Sequence, residues 1–215
     1  MKILNGDLTS CEKASGLVVV IDVIRAFSAA AFAFGLGAKR IILAGEVADA
    51  ISLRNQFEDG ILMGEDHGIR PDGFDYGNSP GELLSGPGFE GRTIIQRTSR
   101  GTQGVVRATN ADLLLTASFS NAQATVDYIR ALSPSIVWMI NTGADVCGFG
   151  DEDAACAEYL RDLLLEKEVD PEPYIARVKN SKIAREVFAN PDKPHYPAAD
   201  IALCTDLDRH DFAMV

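Results

Sequence analysis

The chain is expected to fold as an α/β protein of three layers, a mostly parallel sheet or pair of sheets flanked by helices. Three observations predict this. Short apolar, β-branched runs recur through the 215 residues and alternate with stretches of helical periodicity. The runs are apolar throughout, as strands covered on both faces are. Polar, glycine-bearing loops follow them, where open α/β sheets place their ligands.

Leu17-Val18-Val19-Val20-Ile21 is the first such strand, and the Ala-rich stretch 26–37, ending at glycine, the first helix. Arg40–Ala44 reads as a strand, residues 47–57 as a helix and residues 60–63 as a buried strand. A second series follows: strand 92–96, helix 101–108, strand 112–116, helix 121–132, strand 135–140 and helix 152–165. The helix over 121–132 carries Ala124, Tyr128, Ile129 and Leu132 on one face. Residues 17–57 and 92–132 share the order strand, Arg-bearing turn, helix, strand, helix at similar spacing. The expectation is one compact unit over 1–215, with halves 1–88 and 89–170 related by internal duplication and a wrapping segment 171–215. That last segment has Pro171, Pro173, Pro191, Pro194 and Pro197 around a helical patch at 174–188, suited to a wrap, a lid or a dimer contact. Residues 199–208 read as a short strand leading into acids.

Composition narrows the partners. An apolar content of 47% supports a full core, and a net charge of −11 argues against nucleic acid, whose binding depends on Lys/Arg neutralising phosphates. An anionic substrate therefore needs a local arginine cluster or a metal. Cys11, Cys147, Cys156 and Cys204 show no zinc or C-x-x-C spacing, so free thiols in a reducing cytosol are expected. The N-terminal residues lack a hydrophobic signal core, and the weakly polar run 26–38 is too short to span a bilayer. A soluble, cytoplasmic protein is the expectation, with a homodimer as the default state.

The densest chemistry lies in Gly64-Glu65-Asp66-His67-Gly68 and Gly73-Phe74-Asp75-Tyr76-Gly77-Asn78-Ser79-Pro80. Glycines allow close backbone approach, and carboxylates with an amide suit a hard cation such as Mg²⁺. The first strand ends in Asp22, with Arg25 and Ser28 opening the next helix, an arrangement that suits an anion at a helix N-terminus. The plain alternative makes Asp22 a cap and Arg25 a partner for a surface acid. Arg97-Thr98-Ser99-Arg100-Gly101-Thr102 puts cations and hydroxyls at the counterpart turn, again either an anion site or a capped helix with solvated arginines. Ser118, Ser120 and Asn121 follow the next strand, with Ser118 or Ser120 as a cap. Gly148-Phe149-Gly150-Asp151-Glu152-Asp153 follows the Trp138 strand, with Asp151 as the cap and Asp153 placed to face inward. His67, His195 and His210 are too dispersed for a histidine metal cluster, and no nucleophile elbow, Walker loop or dinucleotide fingerprint is present.

These motifs resemble those of the 2-phosphosulfolactate phosphatase family: Asp22-Val23-Ile24-Arg25-Ala26, Gly64-Glu65, Gly73-Phe74-Asp75-Tyr76-Gly77-Asn78-Ser79-Pro80, Thr98 with Gly101-Thr102, Ser118-Phe119-Ser120-Asn121-Ala122, and Glu152-Asp153. The resemblance spans most of the chain and is most specific in the Gly73–Pro80 string. It implies an α/β, Mg²⁺-dependent phosphatase converting 2-phosphosulfolactate to sulfolactate and phosphate on a route to coenzyme M. By the same resemblance Glu65, Asp75 and Asp153 handle metal or water, with Glu65 and Asp75 the metal ligands, and Asn78 and Ser79 orient the ligand. Asp22 is the candidate nucleophile if a phosphoenzyme forms. The substrate-binding set is then Arg25, Ser28, Asn78, Ser79, Arg97, Thr98, Arg100, Gly101, Thr102, Ser118 and Asn121. Two departures stand out. Ser99-Arg100-Gly101-Thr102 replaces the family's usual Thr-Asn-Gly-Thr, and Asp66-His67 follow Gly64-Glu65 where the family tends to a basic residue. Arg100 motivates the alternative of a non-catalytic protein that binds a small anionic metabolite.

Overall fold

The computed structural model describes residues 1–143 and 149–215, so expectations for Cys147 and Gly148 lie outside the described residues. Its strands form two sheets. One contains β1 (Lys2–Asp7), β2 (Gly16–Ile21), β6 (Ala111–Ala117) and β7 (Ile136–Asn141) in the order β1-β7-β2-β6. The other contains β3 (Arg40–Ala44), β4 (Gly60–Gly64) and β5 (Thr93–Arg97) in the order β3-β5-β4. Every neighbouring pair is parallel. The chain begins in the first sheet, crosses to the second for β3, β4 and β5, and returns for β6 and β7.

The helices are α1 (Ala26–Gly35), α2 (Val47–Arg54), α3 (Pro80–Leu84), α4 (Gly101–Arg107), α5 (Ala122–Leu132), α6 (Asp151–Leu164), α7 (Glu172–Lys179) and α8 (Ala199–Cys204). Strand alternation sorts the core. Leu17, Val19 and Ile21 of β2 face α5 and α6 through Val126, Ile129, Cys156 and Leu160. Val18 and Val20 point the other way, onto Ala26, Phe27, Ala30 and Ala31 of α1. The opposite side of α1, Ala29, Phe32 and Ala33, packs on Ile61, Met63 and Ile94 of the second sheet. That sheet's far face covers Ala50 of α2 with Leu62 and Ile95. Each sheet is thus the middle of three layers, with α1 shared between the two. Every residue from Ala26 to Ala33 is buried, which explains why this helix has no polar face and why its side chains are mostly small.

Three elements depart from the expectations. β1 has no strong apolar run, because it is a half-exposed edge strand. Pro80–Leu84 is a helix within what reads as a loop, started by a Ser79 cap and Pro80 in its first turn. The short strand expected from residue 199 is instead α8: its buried residues, Asp200 and Cys204, lie four apart, a helical spacing. The 88/89 boundary falls between β4 and β5, which pair in one sheet. Beyond α7 the chain makes a π-helical turn at Ala184–Phe188, then α8, and ends with Met214 bridged to Thr116 of β6. Among the described residues no helix is long and apolar enough to cross a membrane.

Candidate active site

The carboxyl ends of both sheets meet at one cleft, and its acidic corner is built from three elements. Asp22 lies just past β2, 5% exposed, and its Oδ1 accepts the Ala26 N–H at 3.0 Å. Gly101 opens α4 directly against it: an added Cβ would sit 2.5 Å from the Ala26 Cβ and 2.8 Å from Asp22 Oδ2. Only a glycine allows that approach. Asp153, in the first turn of α6, accepts the Val23 N–H at 2.7 Å on Oδ1. Its Oδ2 accepts the Gly143 N–H at 2.8 Å and the Thr142 hydroxyl at 3.3 Å. Glu152, beside it, is 4% exposed, and its Oε2 is buried with no hydrogen-bond partner. Asp22, Glu152, Asp153, Thr142 and Arg100 line a cavity of about 290 Å³.

Three carboxyls buried within reach of one another resist ionising together. Burial, opposed by the Ala26 N–H and reinforced by the Glu65 charge, pushes Asp22 up to about 6. Burial, with Asp22 and Asp151 nearby, pushes Glu152 up to about 7. Asp153 is raised well above the usual range, by burial first and then by Asp22 and Glu152. Among the described residues no three His, Cys, Asp or Glu side chains converge as a ready metal-ligand set. The unpartnered Glu152 oxygen and the hard oxygen donors around it nevertheless match a cation such as Mg²⁺, which takes one or two carboxylates and keeps most of its waters.

The cationic side adjoins this corner. Asp22, Arg25, Glu65, Asn78, Arg100 and Tyr196 line a second cavity of about 240 Å³. Arg25 and Asn78 continue into a third, of about 460 Å³, with Ser79, Arg70 and His195. Asn78 is 6% exposed and its Oδ1 has no partner. Glu65 is a clamp: Oε1 accepts the Ser99 N–H at 2.6 Å, and Oε2 accepts the Gly68 N–H at 2.6 Å and the Ser99 hydroxyl at 3.0 Å. It ties the loop after β4 to the loop after β5.

Of the residues singled out by sequence, Asp22, Arg25, Glu65, Asn78, Ser79, Arg100 and Asp153 line these connected cavities. The structure does not bring Asp75 to Glu65. It is exposed, lines none of the three cavities, and its Oδ2 accepts the Leu62 N–H at 2.9 Å, fastening its loop to β4. Arg97 is engaged by Asp66 at 2.7 Å and by the Glu65 and Gly45 carbonyls. Thr98 and Thr102 bond reciprocally: the Thr98 N–H donates to Thr102 Oγ1 at 2.9 Å, and the Thr102 N–H to Thr98 Oγ1 at 3.0 Å. Ser28 donates to the Val23 carbonyl at 2.7 Å, and Ser118 with Asn121 forms a capping box ahead of α5. Asp151 is not the cap of α6. Gly150 takes that place at φ 93°, and Asp151 pairs with Arg177. Glu152, Phe188, Tyr196 and Asp200 lie outside the residues that the sequence assigns to the site; of these, Glu152 is visible in the Glu152-Asp153 motif.

A family model described as 2-phosphosulpholactate phosphatase matches residues 4–212. A "Probable 2-phosphosulfolactate phosphatase" of Bacillus subtilis (strain 168) is 36% identical over 91% of this chain and 85% of its own length. Proteins of the same name are 36% identical in Carboxydothermus hydrogenoformans, over 74% of this chain and 66% of theirs, and 32% identical in Synechocystis sp. (strain PCC 6803), over 76% and 68%. An α/β scaffold with acids facing arginines across one cleft, together with these matches, defines a class of phosphoric monoester hydrolases. Within that class the chain belongs to the 2-phosphosulpholactate phosphatase family.

Proposed function

We propose that this protein is a Mg²⁺-dependent phosphatase that hydrolyses 2-phosphosulfolactate to sulfolactate and phosphate, acting in the cytoplasm as a homodimer on a route to coenzyme M. The observation that carries this reading is the unpartnered, buried Glu152 oxygen, set beside Asp22 and across from Arg100 in one cavity. The printed names of the relatives support the substrate. Asp22 and Glu152 would hold the Mg²⁺. When bound, the ion neutralises charge on phosphoryl oxygens and makes nearby water more acidic.

The chain's own groups divide the remaining work. Arg25 and Arg100 lie on the side of the cleft that suits the substrate's anionic groups, a sulfonate and a carboxylate besides the phosphate. Hydrolysis breaks the bond between phosphorus and the bridging oxygen, forms one to a water oxygen, and moves a proton to the departing alkoxide. As a ligand of the ion, Glu152 would act as an ionised carboxylate, and the proton that the departing alkoxide needs would come from the attacking water. Asp153, held by Val23, Gly143 and Thr142, fixes the start of α6 and so the place of Glu152.

The test is phosphate release from 2-phosphosulfolactate and a panel of small phosphomonoesters, with Mg²⁺, after chelation, and with Mg²⁺ restored. Release that disappears on chelation and returns with Mg²⁺ is expected. No release from any ester would reject the phosphatase reading, and thermal stabilisation by the same anions without release would favour a binder. Release indifferent to chelation would reject the metal dependence. Light scattering checks the dimer.

A further inference from the structure

Among the described residues, Arg25 is the cation shared by the two cavities of the cationic side, and it is held from a part of the chain 175 residues away. Its Nη1 donates to Asp200 Oδ2 at 2.8 Å, with the two side chains 4% and 0% exposed. The other carboxylate oxygen, Oδ1, accepts the Ser79 hydroxyl at 2.9 Å and the Gly81 N–H at 3.0 Å. The guanidinium also lies over two rings of the same C-terminal segment, Phe188 and Tyr196, each with its centroid 5.2 Å from the guanidinium carbon. Tyr196 in turn packs against Gly68, where an added Cβ would collide with its hydroxyl.

We propose that Asp200 is a positioning residue for substrate binding: it sets the Arg25 guanidinium and the Asn78-Ser79 turn as one unit that grips an anionic group of the substrate other than the reacting phosphate. This rests on the phosphatase reading above. The physical argument has three parts. A long arginine side chain has many rotamers, and fixing it before substrate arrives removes that ordering cost from binding. Asp200 occupies one donor of the guanidinium fork and leaves the others without a protein acceptor among the described residues. Both oxygens of Asp200 are consumed by protein donors, so it acts on substrate through Arg25 and Ser79. Neither cavity lined by Arg25 includes Glu152 or Asp153, and the larger one, which holds Ser79, does not include Asp22 either, which fits a grip on the part of the substrate that does not react.

The test compares wild type with Asp200→Asn on 2-phosphosulfolactate and on phenyl phosphate, which has no second acid group. Asn keeps an acceptor for Ser79 and Gly81 with its oxygen and turns an NH2 group, itself a donor, to Arg25. The expected result is a KM for 2-phosphosulfolactate raised about tenfold or more, with kcat changed less than about threefold and the KM for phenyl phosphate nearly unchanged. A merely structural role would lower the active fraction and reduce kcat for both esters at constant KM, and that pattern overturns the proposal. If Asp200→Asn does not fold, Tyr196→Leu removes one ring while keeping the ion pair, and the same selective KM rise or its absence decides. Wild type inactive on both esters would instead reject the phosphatase reading. Positioning is then read from sulfoacetate, which carries a sulfonate and a carboxylate but no phosphate and should raise the melting temperature of wild type more than that of either variant; equal rises overturn it.

Discussion

Glu152→Gln should stabilise the protein at pH 8 and do much less at pH 5. Glu152 is buried beside two other acids, and burial first, then Asp22 and Asp151, raises it from 4.5 to about 7. A carboxyl whose folded pKa lies above its unfolded value binds more protons in the folded state. Stability is therefore fully present below pH 4.5 and is lost as pH rises through about 7. At about 1.4 kcal/mol per tenfold change, the ionised Glu152 costs the folded state about 3 kcal/mol at pH 8 and under about 1 kcal/mol at pH 5. Glutamine has nearly the same shape and no charge to desolvate. For a chain of 215 residues the variant should melt roughly 6–12 °C above wild type at pH 8, and the gap should shrink to a few degrees at pH 5. The assay is calorimetry or dye-monitored melting of both proteins in chelator across that range. A gap that does not change with pH, or a variant that melts lower at pH 8, would refute the argument that like-charge burial is the strained feature of this corner. Adding Mg²⁺ at pH 8 should narrow the gap by raising wild type.

Asp75→Asn should leave kcat and KM within about twofold of wild type and cost under about 1 kcal/mol in denaturant melts, because an exposed side chain with one backbone contact keeps an acceptor. Glu65→Gln should be far more harmful, since an amide nitrogen must then face Ser99 or Gly68 N–H donors; about tenfold lower kcat/KM and a loss of about 1–3 kcal/mol are expected. Gly68→Ala should displace Tyr196 and raise KM, because a side chain at φ 82° is strained and meets that ring; unchanged kinetics would show that the contact is dispensable. Cys204 is buried and its thiol is pushed up to about 12 by burial, so mass mapping after iodoacetamide at pH 8 should find it unmodified until denaturant is added.

Much of the scaffold is visible in local patterning. Residues 40–44 form a strand with the bounds that the apolar run suggests, and the other strands of the two series shift by no more than a residue or two. The edge strand β1 is not visible because its partner, β7, lies more than 130 residues away and an edge needs no apolar run. At the candidate site, Asp22, Arg25 and Arg100 stand out because each follows a strand, and strand ends of parallel sheets converge. Asp75 stands out equally, yet it lines none of the three cavities. Its spacing from Glu65 says nothing of direction, and the loop between them folds back so that the Asp75 carboxylate reaches Leu62. Thr98, Thr102, Ser118 and Asn121 show the same limit, because a hydroxyl or amide after a strand serves a cap as readily as a ligand.

Periodicity and composition are properties of neighbouring residues, and they suffice for an α/β chain with parallel strands, an acidic surface and polar loops on one rim. The division into two sheets, the burial of α1 between them, the crowding of Asp22 with Glu152 and Asp153, and the grip of Asp200 on Arg25 each join residues far apart in sequence. Those contacts exist because packing two sheets against one helix brings separate strand ends and the C-terminal segment to the same cleft. Local pattern carries no record of that distance.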